Sequence, residues 1–308
     1  MVILENNFKF PIKDNTFIVL GNFDGVHLGH RSLIEKTKAL AKENKCKSMV
    51  FTFRNHPLSF INYSKSPNLI MDNTQKIQIF KDLSIDIVNF ADFDDEMMKT
   101  SPENFIKNII YYYNAKGIVV GYNYKFGYKN KGDIHLLEKL SNIHNFKLYI
   151  KMPVKYNDII VSSSKIREKL KEGDIKLANS LLNNYFSING SIKKGKQLGR
   201  TINFPTMNLK YNPKTIIPKE GVYYTNTLFK GKTFKSITNI GTNPTVDGNK
   251  LSIESYLLNF NEYIYDEYIK VFFIERIRDE IRFESLDKLK NQLEIDKIYA
   301  ESQNIQIL

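Results

Sequence analysis

The chain has 308 residues, enough for two domains that each bury a core, and 42% hydrophobic with 25% charged residues is the balance of a soluble globular protein. A formal net charge of +12 admits a nucleic-acid surface, an enzyme of polyphosphates, or merely solvated lysines; the basic residues form no Lys/Arg block, so charge chooses no function. Cys46 is the only cysteine, which excludes a disulfide framework or thiolate cluster, and no apolar run reaches membrane-spanning length. The start, MVILENNFKF, lacks the apolar region of a secretory signal, so a cytoplasmic location is expected.

The first strong element is TFIVLGNFDGVHLGH, residues 16–30. An apolar run, Phe17 to Leu20, closes at Gly21 and reads as a buried strand. After His30, residues Leu33, Ile34, Thr37, Leu40 and Ala41 share one helical face. The turn between them therefore delivers the chain to a helix N-terminus, where N–H groups and the positive dipole end suit a phosphate. His27 and His30 are three apart and so lie on one side of that helix.

KSMVFTF (47–53) reads as a second strand, with Arg54, Asn55, His56 and Pro57 at its exit, the edge where open α/β sheets take ligands. TQKIQIFKD (74–82) suits a helix and SIDIVNF a short strand. Ser101, Pro102 and Glu103 carry the start signals of another helix, which Tyr111 to Tyr113 close as expected packing residues. GIVVG (117–121) reads as a strand of a parallel sheet. Its exit, GYNYKFGYKNKGD, holds four aromatics, which either stack on a planar ligand or plug the loop from beneath. A helix near 133–144 and strand character over 146–161 lead to Ser162, Ser163 and Ser164. These can cap a helix or bind phosphate, with Arg167 one turn in. Residues 168–184 read as a helical hairpin around Gly173, and the domain boundary is placed near 184.

From Tyr185 the pattern turns to strands: 185–192, 219–229, 233–241, 251–260 and 267–277, the spacing of a small antiparallel barrel, before a helix with Leu286, Leu289 and Leu293 on one side. Between the first two lies KKGKQLGRTINFPTMNL, a Gly- and Lys-rich loop without P-loop spacing. Glu254 stands inside an apolar strand, where a carboxylate is costly unless paired or used.

Together GNFDGVHLGH, VGYNYKFG, VSSSKIR and GKQLGRTINFPTMN resemble the prokaryotic bifunctional riboflavin kinase/FMN adenylyltransferase (FAD synthetase) family, in order and over nearly the full length. The first and third match the HxGH and ISSTxIR signatures of the nucleotidyltransferase superfamily, and the last matches the riboflavin kinase motif GxxxGRxxGFPTAN. The resemblance implies a Rossmann-like α/β domain at 1–184 and a β-barrel kinase domain with a terminal helix at 185–308. It implies that ATP phosphates meet Gly21, Asn22, Phe23, Gly29, Ser163 and Ser164 in the first domain and Gly195, Gly199 and Arg200 in the second. His27, His30 and Arg167 would steady the attacked phosphate, and Glu254 would be general base toward the riboflavin 5′-hydroxyl. Flavin would contact Asn123, Tyr124, Phe126, His56 and Arg278; Mg²⁺ would bind Thr206 and Asn208. Riboflavin, FMN and ATP are the implied substrates, with no nucleic-acid or membrane partner.

The chain departs from the family pattern at Asn55 (usually Pro), Asn203 (Gly), Met207 (Ala), Tyr256 (His) and Asn259 (Asp). Asn203 and Met207 raise the alternative of an FMN adenylyltransferase with a weakened or inactive kinase. A nucleic-acid-binding module is the competing class, and it predicts salt-dependent oligonucleotide binding and indifference to flavin.

Overall fold

A computed structural model describes residues 1–61, 66–193, 204–245, 248–262 and 264–307. It separates into two compact units, residues 1–68 with 72–162, and residues 69–71 with 163–308.

In the first unit, β1 (Val2–Leu4), β2 (Thr16–Leu20), β3 (Lys47–Phe53), β4 (Ile87–Ala91), β5 (Ala115–Gly121) and β6 (Lys147–Lys151) form one sheet in the order β1-β4-β3-β2-β5-β6. Every pairing is parallel. β2 and β4 are buried along their whole length, which is why they read as apolar runs and not as alternating strands. The chain steps from β2 through β3 to β4, then returns to β5 on the other side of β2. The order thus reverses between β2 and β5, the switch point beyond which open α/β sheets bind ligands. The segments leaving that point are 21–27 and 122–133, the two most motif-rich stretches of this half.

The helices begin and end on local chemistry. α1 (Leu28–Glu43) buries Ile34, Thr37, Leu40 and Ala41; Leu33, on the edge of that face, is half-buried. α2 (Pro57–Ile61) is a single short turn that the sequence does not announce. α3 (Asn73–Asp82) starts with a capping box in which Asp72 accepts from Gln75 N and Gln75 returns a bond to Asp72 N. Between α3 and β5 lie α4 (Asp95–Lys99) and α5 (Pro102–Tyr113), the latter capped by the Ser101 hydroxyl with Pro102 at its first position. α5 and α6 (Ile134–His144) end at left-handed Asn114 and Asn145, asparagine taking the place glycine usually fills. One expectation fails here. Of Tyr111 to Tyr113 only Tyr113 is in the core, its hydroxyl donating to Asn6 O at 2.7 Å, while Tyr111 is 66% exposed. Successive helical residues turn by about 100°, so three in a row cannot share the buried face. The strand character of 146–161 resolves into β6 and a small hairpin, β7 (Lys155–Tyr156) with β8 (Ile159–Ile160).

The second unit opens with α7 (Ser163–Glu172) and α8 (Ile175–Leu182). These helices pack with the barrel: buried Asn179 donates to Phe273 O and accepts from Phe186 N, and Lys219 N donates to Leu170 O. The strands β9 (Ser187–Lys193), β10 (Met207–Tyr211), β11 (Gly221–Phe229), β12 (Lys232–Thr245), β13 (Gly248–Leu257) and β14 (Tyr268–Arg278) close in the order β10-β13-β12-β11-β14-β9. β10 goes unannounced, because its residues read as motif and not as alternation. Fully buried hydroxyls run Thr227–Ser236–Thr225–Thr238–Ser255 in steps of 2.7–2.8 Å, each able to donate and accept. The final helix, α9 (Leu286–Ser302), buries Asp296 and Ala300 and leaves Leu286 66% exposed. Leu289 and Leu293 of the expected stripe are half-buried, Ala300 and Tyr299 join an apolar cluster, and an ion pair adds a polar anchor. Asp296, 1% exposed, receives Arg278 through both Nε and Nη2, at 3.1 and 2.6 Å.

Candidate active sites

At the end of β2, Gly21 N donates to Phe51 O. The turn that follows is buried from Phe23 to His27, with Asn22 exposed. Its path needs three left-handed residues, Phe23 (φ +49°), Gly25 (φ +90°) and Val26 (φ +35°), an unusual density of strain of the sort that marks functional loops. The Phe23 ring is held edge-on between His30 (centroids 5.1 Å) and Phe80 (6.0 Å). His27 is the N-cap of α1, its Nδ1 accepting from His30 N, and the two imidazoles stack with centroids 3.7 Å apart. Gly29 makes that possible, since a Cβ there would meet the His27 ring at 3.1 Å. Burial first, then the charges of His27 and Lys76, hold the His30 pKa well below the usual imidazole range. His30 is thus neutral, and its buried Nδ1 has no hydrogen-bond partner among the described residues. A helix N-terminus, a neutral imidazole with an unmet polar atom and a closely approachable backbone together fit a phosphate group.

Beyond β5, Asn123 is exposed, with its Oδ1 near Gly121. Tyr124 stacks on Phe126 at 5.6 Å, and burial raises the Tyr124 pKa. Phe126 itself is 4% exposed and belongs to the core with Phe105. Tyr124, half-buried, packs against the same core. At the exit of β3, His56 Nδ1 accepts from Leu58 N at the start of α2. Asn55, the departure from the family proline, makes paired bonds to Phe93 N and O at 2.8 and 2.9 Å. The amide clamps the β3 exit to the β4 exit and so supplies the rigidity a proline would.

In the second unit, Ser163 and Arg167 are half-buried and Ser164 exposed on the first turn of α7, while Ile166 and Leu170 face inward. Within the barrel, Thr206 Oγ1 donates to Glu254 Oε2 (3.1 Å) and Ser252 Oγ to Glu254 Oε1 (3.4 Å). Asn208 on β10 and Asn239 on β12 lie directly across from Glu254 on β13. A half-buried carboxylate thus stands among two hydroxyls and two amides. Beside Thr206 opens a cavity of about 420 Å³ with apolar walls from Ile192, Leu257, Phe260 and Ile264, and Met207 also lines it. Gly195, Gly199, Arg200 and Asn203 lie outside the described residues. The Arg278 guanidinium is committed to Asp296 and to Asp279 O, which ties it to the α9 junction.

Sequence reasoning missed Lys76 and Asn239. Lys76 sits on α3, 6% exposed, with Nζ on the carbonyl of Asn22 at 3.0 Å. A lysine at a position expected to face solvent carries no sign of burial in the sequence. Asn239 is visible only through strand register.

A strained phosphate-suited corner at a parallel-sheet switch point, and a carboxylate among oxygen donors in a closed barrel, define a two-part phosphate-handling transferase. Residues 9–165 match the family model for FAD synthetase and residues 182–303 that for riboflavin kinase. A bifunctional riboflavin kinase/FMN adenylyltransferase of Buchnera aphidicola subsp. Schizaphis graminum is 37% identical, over 94% of each chain. The Escherichia coli K12 protein of that description is 32% identical over 96% of this chain and 95% of its own. A Streptococcus pneumoniae crystal structure titled a macrolide-efflux protein superposes with a TM-score of 0.88 at 28% identity, covering 98% of this chain and 99% of that one. The chain belongs to the bifunctional riboflavin kinase/FMN adenylyltransferase family. Among the described residues no helix is long and apolar enough to cross a membrane.

Proposed function

We propose that residues 185–308 carry riboflavin phosphorylation and residues 1–184 carry FMN adenylylation in one bifunctional FAD-forming enzyme. ATP is the co-substrate of both steps. The observation that carries the first assignment is Glu254, held by Thr206 and Ser252. Glu254 takes the proton of the riboflavin 5′-hydroxyl as that oxygen attacks the γ-phosphorus of ATP, giving FMN and ADP. Thr206 and Asn208 offer hard oxygen donors of the kind Mg²⁺ prefers, and they are the residues that would hold it; the ion would neutralise phosphate charge there. The cavity beside Thr206, lined by apolar side chains together with Asn261, Glu262 and Tyr265, would take a planar ring of one substrate.

In the second step an FMN phosphate oxygen attacks the α-phosphorus of ATP, and pyrophosphate leaves. The nucleophile is already anionic, so the protein's task is placement and charge stabilisation, not proton removal. His27, neutral His30 and the N–H groups of the α1 start hold the phosphates, and Tyr124 and Asn123 receive the flavin. The site of action is the cytoplasm.

Purified protein given riboflavin, ATP and Mg²⁺ should yield FMN and then FAD by chromatography. FAD from FMN with no FMN from riboflavin would favour the reading in which Met207, beside the cavity, has dulled the kinase. Folded protein producing neither would remove the assignment.

A further inference from the structure

Lys76 is a charged residue almost without exposure, and lysines are rarely buried unless paired. Burial lowers its pKa, opposed by the carboxylates of Asp24, itself 3% exposed, and Asp72. Its Nζ donates to the backbone carbonyl of Asn22 at 3.0 Å, and the Thr52 hydroxyl, from β3, donates to the same oxygen at 3.1 Å. Asn22 immediately precedes the left-handed Phe23, two residues past the end of β2. Two donors from two different elements thus fix one carbonyl at the point where the strained turn departs. A turn with three positive φ values persists only when its surroundings over-determine it.

We propose that Lys76 is a positioning residue for FMN adenylylation: its ammonium pins the Asn22 carbonyl, holding residues 21–27 in the turn that presents His27, His30 and the α1 N-terminus to ATP. It acts through the loop and does not touch the reacting atoms. The inference rests on the reading of that corner as the nucleotide site. Asp24, buried within the turn itself, is its counter-charge, and Asp72 flanks it from the α3 cap. Lys76 also adds to the positive field that keeps His30 neutral.

The test compares K76M, K76Q, T52V and H30A in the full chain, measuring initial rates of FAD formation from FMN against ATP concentration. Riboflavin phosphorylation in the same preparations reports the integrity of the other half. K76M should raise the KM for ATP about tenfold or more, because a displaced loop loses ATP placement. A merely structural lysine would instead lower the amount of active enzyme and leave that KM unchanged. K76Q, which keeps a donor, should recover part of the loss, and T52V should shift KM the same way by a smaller factor. Riboflavin phosphorylation should stay within twofold throughout. If H30A depresses FAD formation while folded K76M stays within twofold of wild type, the Lys76 proposal is wrong and the corner reading stands. If neither lysine variant folds in its first unit, T52V decides, and an unchanged KM in T52V overturns the proposal. H30A at wild-type rate sinks the corner reading, and this proposal with it.

Discussion

The corner at 21–30 and the Glu254 cluster, the two places proposed above for phosphate chemistry, are built by opposite means. The corner is one continuous stretch. Its geometry comes from backbone strain at Phe23 and Val26, from the positive φ that Gly25 permits, and from two histidines made neighbours by helical spacing. The Glu254 cluster is assembled from separate strands, with Thr206 and Asn208 reaching a carboxylate some fifty residues away along the chain. A contiguous site fails when its turn is loosened. An assembled site fails when strand register or barrel closure is lost, even if every residue is kept.

The largest expected effect that separates the two is chemical. Glu254→Gln should slow riboflavin phosphorylation by about 10²–10⁴-fold while FMN adenylylation continues, read as FMN and FAD formed from the respective substrates. His30→Ala should do the converse, lowering FAD formation by about 10²–10³-fold and sparing FMN formation. Loss of both activities from either change in a folded protein would break the comparison, since each site would then depend on the other.

Removing an anchor remote from the chemistry should affect the assembled site first. Asp296→Ala leaves Arg278 uncompensated at the α9 junction and should destabilise the barrel by about 3–5 kcal/mol, measured by urea unfolding. Adenylylation should outlast phosphorylation in partly denaturing urea. A variant as stable as wild type would show that α9 is dispensable to barrel closure.

Acid should act on the corner. His30 is held neutral in the fold, with its pKa depressed, whereas in the unfolded chain it binds a proton below about pH 6.5. The unfolded state then carries more protons, so stability of the first unit is full above that pH and falls as the pH drops beneath it. Unfolding titrations at pH 7.5 and 5.5 should show this loss, and His30→Asn should flatten it. The smallest effect expected is at Asn55. Asn55→Ala removes both bonds to Phe93 and should cost about 1–2 kcal/mol, with little change in either activity.

The sequence by itself determined the local features. Apolar runs closed by glycine placed β2 and β5, capping residues such as Asp72, Ser101 and Asp133 began helices where the chemistry of their side chains demanded, and HxGH spacing put two imidazoles together. These rest on interactions within a few residues, which a linear string displays. Tertiary structure alone decided that Lys76 is buried under Asn22, that Phe126 is core with Tyr124 packed against it, that Arg278 binds Asp296, and that Asn208 and Asn239 flank Glu254. Each of those depends on which distant segments meet. Burial and strand register set that meeting, because the free energy of a charge or an amide is fixed by its surroundings and not by its place in the chain.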